Sequence, residues 1–386
     1  EVWGGTVELY GGKISRSGLR LNNSIVLGDL LPQKAGLAYY RGDTQLTLEE
    51  AASKTCDLVV KSCAHGGKNG FDESATACPY CNAPAVAETD LNDGKGGRLR
   101  RRFANLQTAL DADRDGGATL QLLADVTGEY TIDGTRDTGF DLNGYCIKGT
   151  VTVKAAASNH TTTFSNTQNT TTASIDAVVA HRGAKLAGSG SPAVIGTLTL
   201  ADSTKWKDIL QQPTRLGFRV TNADGTHKWY APNDVKGSQL NNVIINSLPI
   251  TTKTLNLKVD GKNLTGNSPK VERGTTVQLC ASCNTKDADV AIYVGEIVGN
   301  NNPTYSQKKA EYKKIGTNWY YVVDLDANTI GTYDIYFTAS KDGYSVTSSH
   351  KKLTVTKPNL SNAEITFRSS NESTYEPYRS TTTAPG

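Results

Sequence analysis

Thr119-Leu120-Gln121-Leu122-Leu123, Tyr130-Thr131-Ile132, Phe140-Asp141-Leu142-Asn143-Gly144, Thr150-Val151-Thr152-Val153, Ile175 to Val179 and Val194 to Leu200 follow one another along the middle of the chain. Their succession decides the fold. Each run is short and rich in β-formers, and each is bounded by Gly, Asp or Asn with no helical period between runs. A strand this short cannot bury its apolar face alone, but coils stacked on one another can. The stretch therefore predicts an all-β parallel β-helix.

Working outward, Phe103, Leu106, Ala109 and Leu110 fall at helical spacing. They predict an amphipathic helix from about Leu99 to Ala112 that caps the open end of the stack. The polar stretch from Ser158 to Ser174 reads as a solvated turn region. An internal repeat brackets the module. Leu27-Gly28-Asp29-Leu30-Leu31, followed by Gly36-Leu37-Ala38-Tyr39-Tyr40, matches Trp206-Lys207-Asp208-Ile209-Leu210, followed by Gly217-Phe218-Arg219-Val220. A short β-rich stretch precedes each copy, and each Asp-aliphatic piece reads as a one-turn capping helix. From about Pro249 the strands lengthen and alternate cleanly, as in Tyr333-Asp334-Ile335-Tyr336-Phe337-Thr338-Ala339. Turn signals recur, which is the pattern of an immunoglobulin-like β-sandwich.

The resulting division is 1–50, the C-terminal end of a first β-helix module; 51–92, a linker with a Cys/His knuckle; 93–248, a second β-helix module; 249–357, the immunoglobulin-like sandwich; and 358–386, a linker or the start of a further domain. The 386 residues exceed what one core serves. The chain has no Met and no leader pattern, so it reads as an excised fragment. A net charge of +3 with 20% charged residues points to neither nucleic acid nor a membrane surface as partner. No apolar run approaches a bilayer span.

Leu122-Leu123-Ala124-Asp125-Val126, Asp141-Leu142-Asn143-Gly144, the Asp-Leu-Leu caps, Asn222-Ala223-Asp224-Gly225-Thr226-His227-Lys228-Trp229-Tyr230 and Lys341-Asp342-Gly343-Tyr344 carry a resemblance. Together they resemble large surface repeat proteins of Gram-positive gut bacteria, in which pectate-lyase-like β-helix modules alternate with bacterial Ig-like domains. The resemblance implies a secreted or cell-wall-displayed adhesin fragment, monomeric and non-catalytic. It would bind a host glycan or glycoprotein, immunoglobulin among the candidates.

Chemistry-bearing residues are few. Cys63-Ala64-His65 and Cys78-Pro79-Tyr80-Cys81 form a C-x-H…C-x-x-C arrangement, a donor set that satisfies structural Zn²⁺. The family resembled often carries such a segment between modules. Cys56 is a rival ligand, and disulfides are the alternative. Asp111-Ala112-Asp113-Arg114-Asp115-Gly116 opens like a calcium loop but has Leu122 where Glu belongs. Arg98-Leu99-Arg100-Arg101-Arg102 reads as a solvated basic face. Alternation sets Cys280 and Cys283 on opposite sides of a strand, which disfavours redox pairing. The β-helix fold also hosts lyases and glycosidases, so Asp125, Glu129, Asp133, Asp137, Asp141, Asp176 and Asp202 are the carboxylates an enzyme would use. Trp229, Tyr230, Trp319 and Tyr320 are the aromatic candidates for ligand contact. The readings weighed are thus a non-catalytic adhesin, a carbohydrate-active enzyme and a purely structural stalk.

Overall fold

The computed structural model describes residues 37–47, 49–50, 59–112, 118–157, 159–168, 173–299 and 301–358. The chain divides into two compact units, 1–248 and 249–386. The first copy of the repeat, up to Gly36, lies outside the described residues, as do Cys56 and most of the Asp111–Gly116 loop.

The first unit begins with a small antiparallel sheet of β1 (Leu37–Arg41), β2 (Thr44–Leu46) and β3 (Val59–Ser62), in the order β2-β1-β3. Then come β4 (Phe71–Asp72), β5 (Ala87–Asn92), β6 (Arg98–Phe103) and the helix α1 (Leu106–Asp111). The coils follow. They are β7 (Thr119–Leu122) with β8 (Val126–Ile132), β9 (Thr138–Asp141) with β10 (Ile147–Val153), β11 (Thr162–Ser165) with β12 (Ser174–Ala180), and β13 (Leu186–Ala187) with β14 (Val194–Leu200). The first strand of each pair stacks in parallel in one sheet and the second in another, giving a β-helix of about four turns.

The ladders explain why these residues make coils. Val126, Ile147, Ile175 and Ile195 lie in one row, and Tyr130, Val151, Val178 and Leu198 in another. The aliphatic members are buried, so each coil covers the apolar face of the next. Gly128 and Gly149 are opposite each other, at φ 149 and φ 144. A Cβ on Gly149 would collide with the Gly128 carbonyl. The third coil drops this extra residue, which leaves a register shift between Ile147 and Thr150.

Both ends of the stack are closed by antiparallel strands. At the far end the chain makes a 3-10 turn at Trp206–Asp208, then β15 (Leu216–Thr221), β16 (His227–Tyr230) and β17 (Gln239–Ser247) in the order β16-β15-β17, with β17 on β14. The order β2-β1-β3 at the start of the described chain has the same hairpin-plus-strand arrangement. At the near end β5 runs antiparallel to both β7 and β6, and β4 pairs with β6.

Three sequence expectations are corrected here. The helix predicted over Leu99–Ala112 is confined to Leu106–Asp111, where the Asn105 side chain accepts from the Thr108 amide as N-cap. Residues Arg98–Phe103 are strand instead, because Arg100 and Arg102 find partners on β5. Arg100 bonds Asp90 at 3.0 Å and Glu88 at 3.1 Å, and Arg102 bonds Glu88 at 3.1 Å. The solvated turn expected over Ser158–Ser174 contains β11, with Thr162 and Phe164 buried. Thr is a β-former, and Thr162 stacks on Thr138 of the coil before it. The boundary at 92/93 cuts the β5–β6 hairpin, so the knuckle segment is built into the solenoid sheet.

The second unit has two sheets. One joins β18 (Thr254–Val259), β19 (Lys262–Asn263), β21 (Thr276–Ser282), β24 (Glu311–Ile315) and β25 (Asn318–Asp326) in the order β19-β18-β21-β25-β24. The other joins β20 (Lys270–Glu272), β22 (Asp289–Ile297), β23 (Tyr305–Lys309), β26 (Gly331–Lys341) and β28 (Lys351–Thr356) in the order β20-β28-β26-β22-β23, with β27 (Tyr344–Thr347) on β26. Alternate residues are buried in each, among them Val277 and Leu279 in the first sheet and Ile335 and Phe337 in the second.

Candidate metal centre

Local backbone geometry builds the Cys/His cluster. Strand β3 delivers Cys63 directly, and the chain then reverses through left-handed residues at His65 (φ 49) and Gly66 (φ 77). A Cβ on Gly66 would collide with the Gly70 carbonyl, so only glycine closes this turn. The second pair sits on a tight loop. The Cys78 amide donates to the Ala83 carbonyl at 2.7 Å, and the Cys81 and Asn82 amides donate back to the Cys78 carbonyl. Asn82 takes the left-handed position at φ 59.

These two loops bring one ligand atom from each of Cys63, His65, Cys78 and Cys81 within 4.8 Å of one another. Cys63 and Cys78 Sγ are 3.8 Å apart, and Cys81 Sγ is 3.3 Å from His65 Nδ1. A sulfur–sulfur edge of about 3.8 Å is what metal–sulfur bonds of about 2.3 Å give in a tetrahedron. It is far from a disulfide, whose sulfurs lie about 2 Å apart. The cysteines are free thiols. Two donors point at Cys63 Sγ, the His65 amide at 3.2 Å and Gln45 Nε2 at 3.0 Å. Donors aimed at sulfur stabilise thiolate, the form that ligates metal. The group can hold a metal ion.

The electrostatics follow from crowding. The Cys63 thiol is pushed up by its hydrogen bonds to Cys78 and Cys81 and by burial. Cys81 is held far below the ordinary thiol range by hydrogen bonds from Cys63 and Cys78 and from His65. His65 rises to about 9 through its bonds to Cys78 and Cys81. Tyr40 and Ala38 of β1 and Phe71 of β4 pack around the sulfurs. The knuckle therefore ties the β1–β3 sheet to the strands that start the solenoid. Sequence reasoning found the four residues that come together here and missed Gln45 and Tyr40, which carry no motif.

The aromatic candidates separate. Trp229 and Tyr230 are half-buried on β16, and Tyr230 packs against the solenoid core with Lys228 Nζ 4.9 Å from its ring centre. Tyr320 is buried, with Lys258 Nζ 4.5 Å over its ring and Cys280 beside it, so the ligand role expected for it is corrected to packing. Trp319 is 54% exposed and stacks on Tyr312 at 5.1 Å. Tyr312 was missed, because it lies on a different strand.

The solenoid carboxylates serve the corners. Asp125 accepts the Cys146 amide at 2.9 Å, Asp137 the Thr161 amide at 2.7 Å, and Asp141 the Asn143 and Thr167 amides at 3.0 and 2.9 Å. Asp133 accepts the amide of Thr135, two residues on. Glu129 and Asp176 remain exposed on the outer face of the β8–β14 sheet. Within the basic run, Arg100 and Arg102 are paired with Glu88 and Asp90 of β5 by the ion pairs already described. Cys280 is buried and Cys283 lies beyond the strand, with Sγ on the Thr285 carbonyl. Burial pushes Cys280 up to about 11.

Among the described residues no helix is long and apolar enough to cross a membrane. No family model matches the chain, and no curated protein matches it. What the fold and site define is a β-helix protein with a Cys₃His group at the head of its coils that could hold a metal ion.

Proposed function

We propose that this protein is a non-catalytic adhesin fragment of a secreted or cell-wall-displayed bacterial repeat protein, and that it binds a host glycan or glycoprotein. In this reading the second unit is an Ig-like sandwich that serves as stalk, and the metal is Zn²⁺. Zinc suits a closed set of three thiolates and an imidazole, and with four protein ligands its role is structural. It would hold the junction rigid and leave no coordination position for substrate.

The observation that carries the reading is where the solenoid spends its carboxylates. Asp125, Asp133, Asp137 and Asp141 accept backbone amides at corners. The outer rows of the β8–β14 sheet are threonine-rich, with Thr131, Thr152 and Thr199 in one row and Thr150 and Thr197 with Glu129 in the next. The hydroxylated face of the first unit and, separately, the exposed Trp319–Tyr312 stack of the second suit recognition of sugars more than acid–base work.

One observation favours a glycosidase as second reading. Glu129 and Asp176 sit on the outer face of strands separated by β10, whose backbones lie about 9–10 Å apart at ordinary sheet spacing, with Asp176 one residue out of register. That lies at the upper limit for an inverting carboxylate pair.

The test is a binding screen against host glycans and secreted glycoproteins, immunoglobulins included, run beside a polysaccharide-cleavage assay. Saturable binding without turnover is the expected result. Asp133→Asn, Asp137→Asn and Asp176→Asn should leave that binding unchanged. Polysaccharide turnover that Glu129→Gln or Asp176→Asn abolishes would replace the adhesin with the enzyme.

A further inference from the structure

A cavity of about 350 Å³ opens beside the 3-10 turn that closes the solenoid, between that turn and the segment joining β16 to β17. Its volume is at the small end of the range for small-molecule sites. Leu200, Trp206 and Pro232 supply apolar wall, and Thr204, Lys205 and Lys207 line it from the turn. Asn233 faces them from the opposite segment. The Thr204 hydroxyl is buried and has no hydrogen-bond partner among the described residues. Such a group is costly unless something else satisfies it. No acidic residue lines the cavity, and neither lysine makes an ion pair among the described residues.

The internal repeat gives a control. Where this copy has Lys205-Trp206-Lys207-Asp208, the first copy has Val26-Leu27-Gly28-Asp29. Both copies keep the Asp and the aliphatics that follow it, whereas the two lysines and the indole belong to this copy alone. Trp206 is itself fixed, since its Nε1–H donates to the Gly237 carbonyl at 2.8 Å and its ring meets Phe218 edge-on at 5.1 Å. The wall is therefore held in place from both sides.

We propose that this cavity binds a carboxylate-bearing sugar residue of a glycan, an inference that rests on the glycan-binding reading above and names its substrate class. The two ammonium groups meet the carboxylate. Thr204 and Asn233 meet sugar hydroxyls, and the apolar wall takes the C–H face. Uronic and sialic acids share this chemistry.

The test is a titration of the whole chain with glucuronic acid, N-acetylneuraminic acid and glucose. Binding is followed through the Trp206 indole N–H resonance, assigned with Trp206→Phe. At least one acid should shift that resonance while glucose does not, and the acid that acts identifies the source. Lys205→Ala combined with Lys207→Ala should weaken the acid at least tenfold with an unchanged melting transition. A silent indole, equal binding of glucose, or undiminished binding by the double variant would overturn the site. Glycan-screen binding that survives the double variant removes the pocket and leaves the adhesin reading intact. An indole shift with a blank glycan screen keeps the pocket and removes the adhesin.

Discussion

The knuckle and the coils are held together by different means, although one runs into the other. The coils bury continuous rows of Ile, Val, Leu and Phe, such as Phe140 against Phe164 at 6.1 Å between ring centres. The knuckle buries Ala38, Ala83, Ala85, Tyr40 and Phe71 around three cysteines. Alanine removes little apolar surface from water, so this small cluster gains far less from burial than a coil does. Where side chains are too small for a core, four ligand atoms converge instead. With a metal bound, stability in the first unit would have a cross-linked part and a packed part.

The largest expected effect would break the comparison directly. Stripping metal with a chelator, or replacing Cys81 by Ser, should open the knuckle and leave the coils folded. In small zinc domains the metal supplies about 10–16 kcal/mol, so the local loss should be complete. Hydrogen exchange read by mass spectrometry should show residues 63–83 exchanging freely while β10 and β12 stay protected. Equal loss in both regions would mean that the knuckle and the coils fold as one.

A smaller effect sharpens the other half. Phe140→Ala removes a fully buried ring from the stack and should cost about 3–5 kcal/mol. The denaturant midpoint of the coils should fall while metal content stays the same. A midpoint unchanged within error would show that the coils close over the cavity.

The smallest effect concerns the corners and depends on pH. The Thr161 amide holds the Asp137 carboxyl below the usual carboxylate range, with further help from the Thr161 hydroxyl and His160. A carboxyl depressed in the folded state contributes stability above its unfolded value of about 3.9, and that contribution is lost as pH falls through the folded value. Asp137→Ala should cost about 1 kcal/mol or less at pH 7, because the corner is solvent-exposed. The difference from the parent chain should shrink as an acid titration passes below the unfolded value and be lost below the folded one. Asp137→Asn keeps an acceptor oxygen and should be close to neutral. A penalty that grows in acid would mean that the carboxylate is not what the corner uses.

How much of this was legible depended on whether a residue's partner was near in sequence or carried a pattern. The coil strands with alternating aliphatics were readable, and so were the knuckle ligands, because C-x-H and C-x-x-C are local spacings. Strand β11 was hidden since its only large apolar residue is Phe164, and the rest of its pairing is backbone and threonine. Strand β6 was hidden since Leu99 and Phe103 are also helically spaced, and the deciding partners Glu88 and Asp90 lie on another strand. Tyr320 and Trp319 are adjacent in sequence yet face opposite sides of β25, so alternation separated them but could not say which was covered. The cavity wall combines residues 200–207 with 232–237, a junction that only the folded cap creates.

The corner bonds have a consequence for how such a chain can change. Asp125 reaches Cys146, Asp137 reaches Thr161 and Asp141 reaches Thr167, each time from one coil to the next. A residue lost between two corners would move an acceptor off its amide, whereas a residue dropped inside a ladder is absorbed locally, as the shift between Ile147 and Thr150 shows. Loss or gain of one whole turn would return each acceptor to an equivalent amide. A whole turn is thus the unit by which the stack can lengthen and keep its corner bonds, with the caps carried along unchanged.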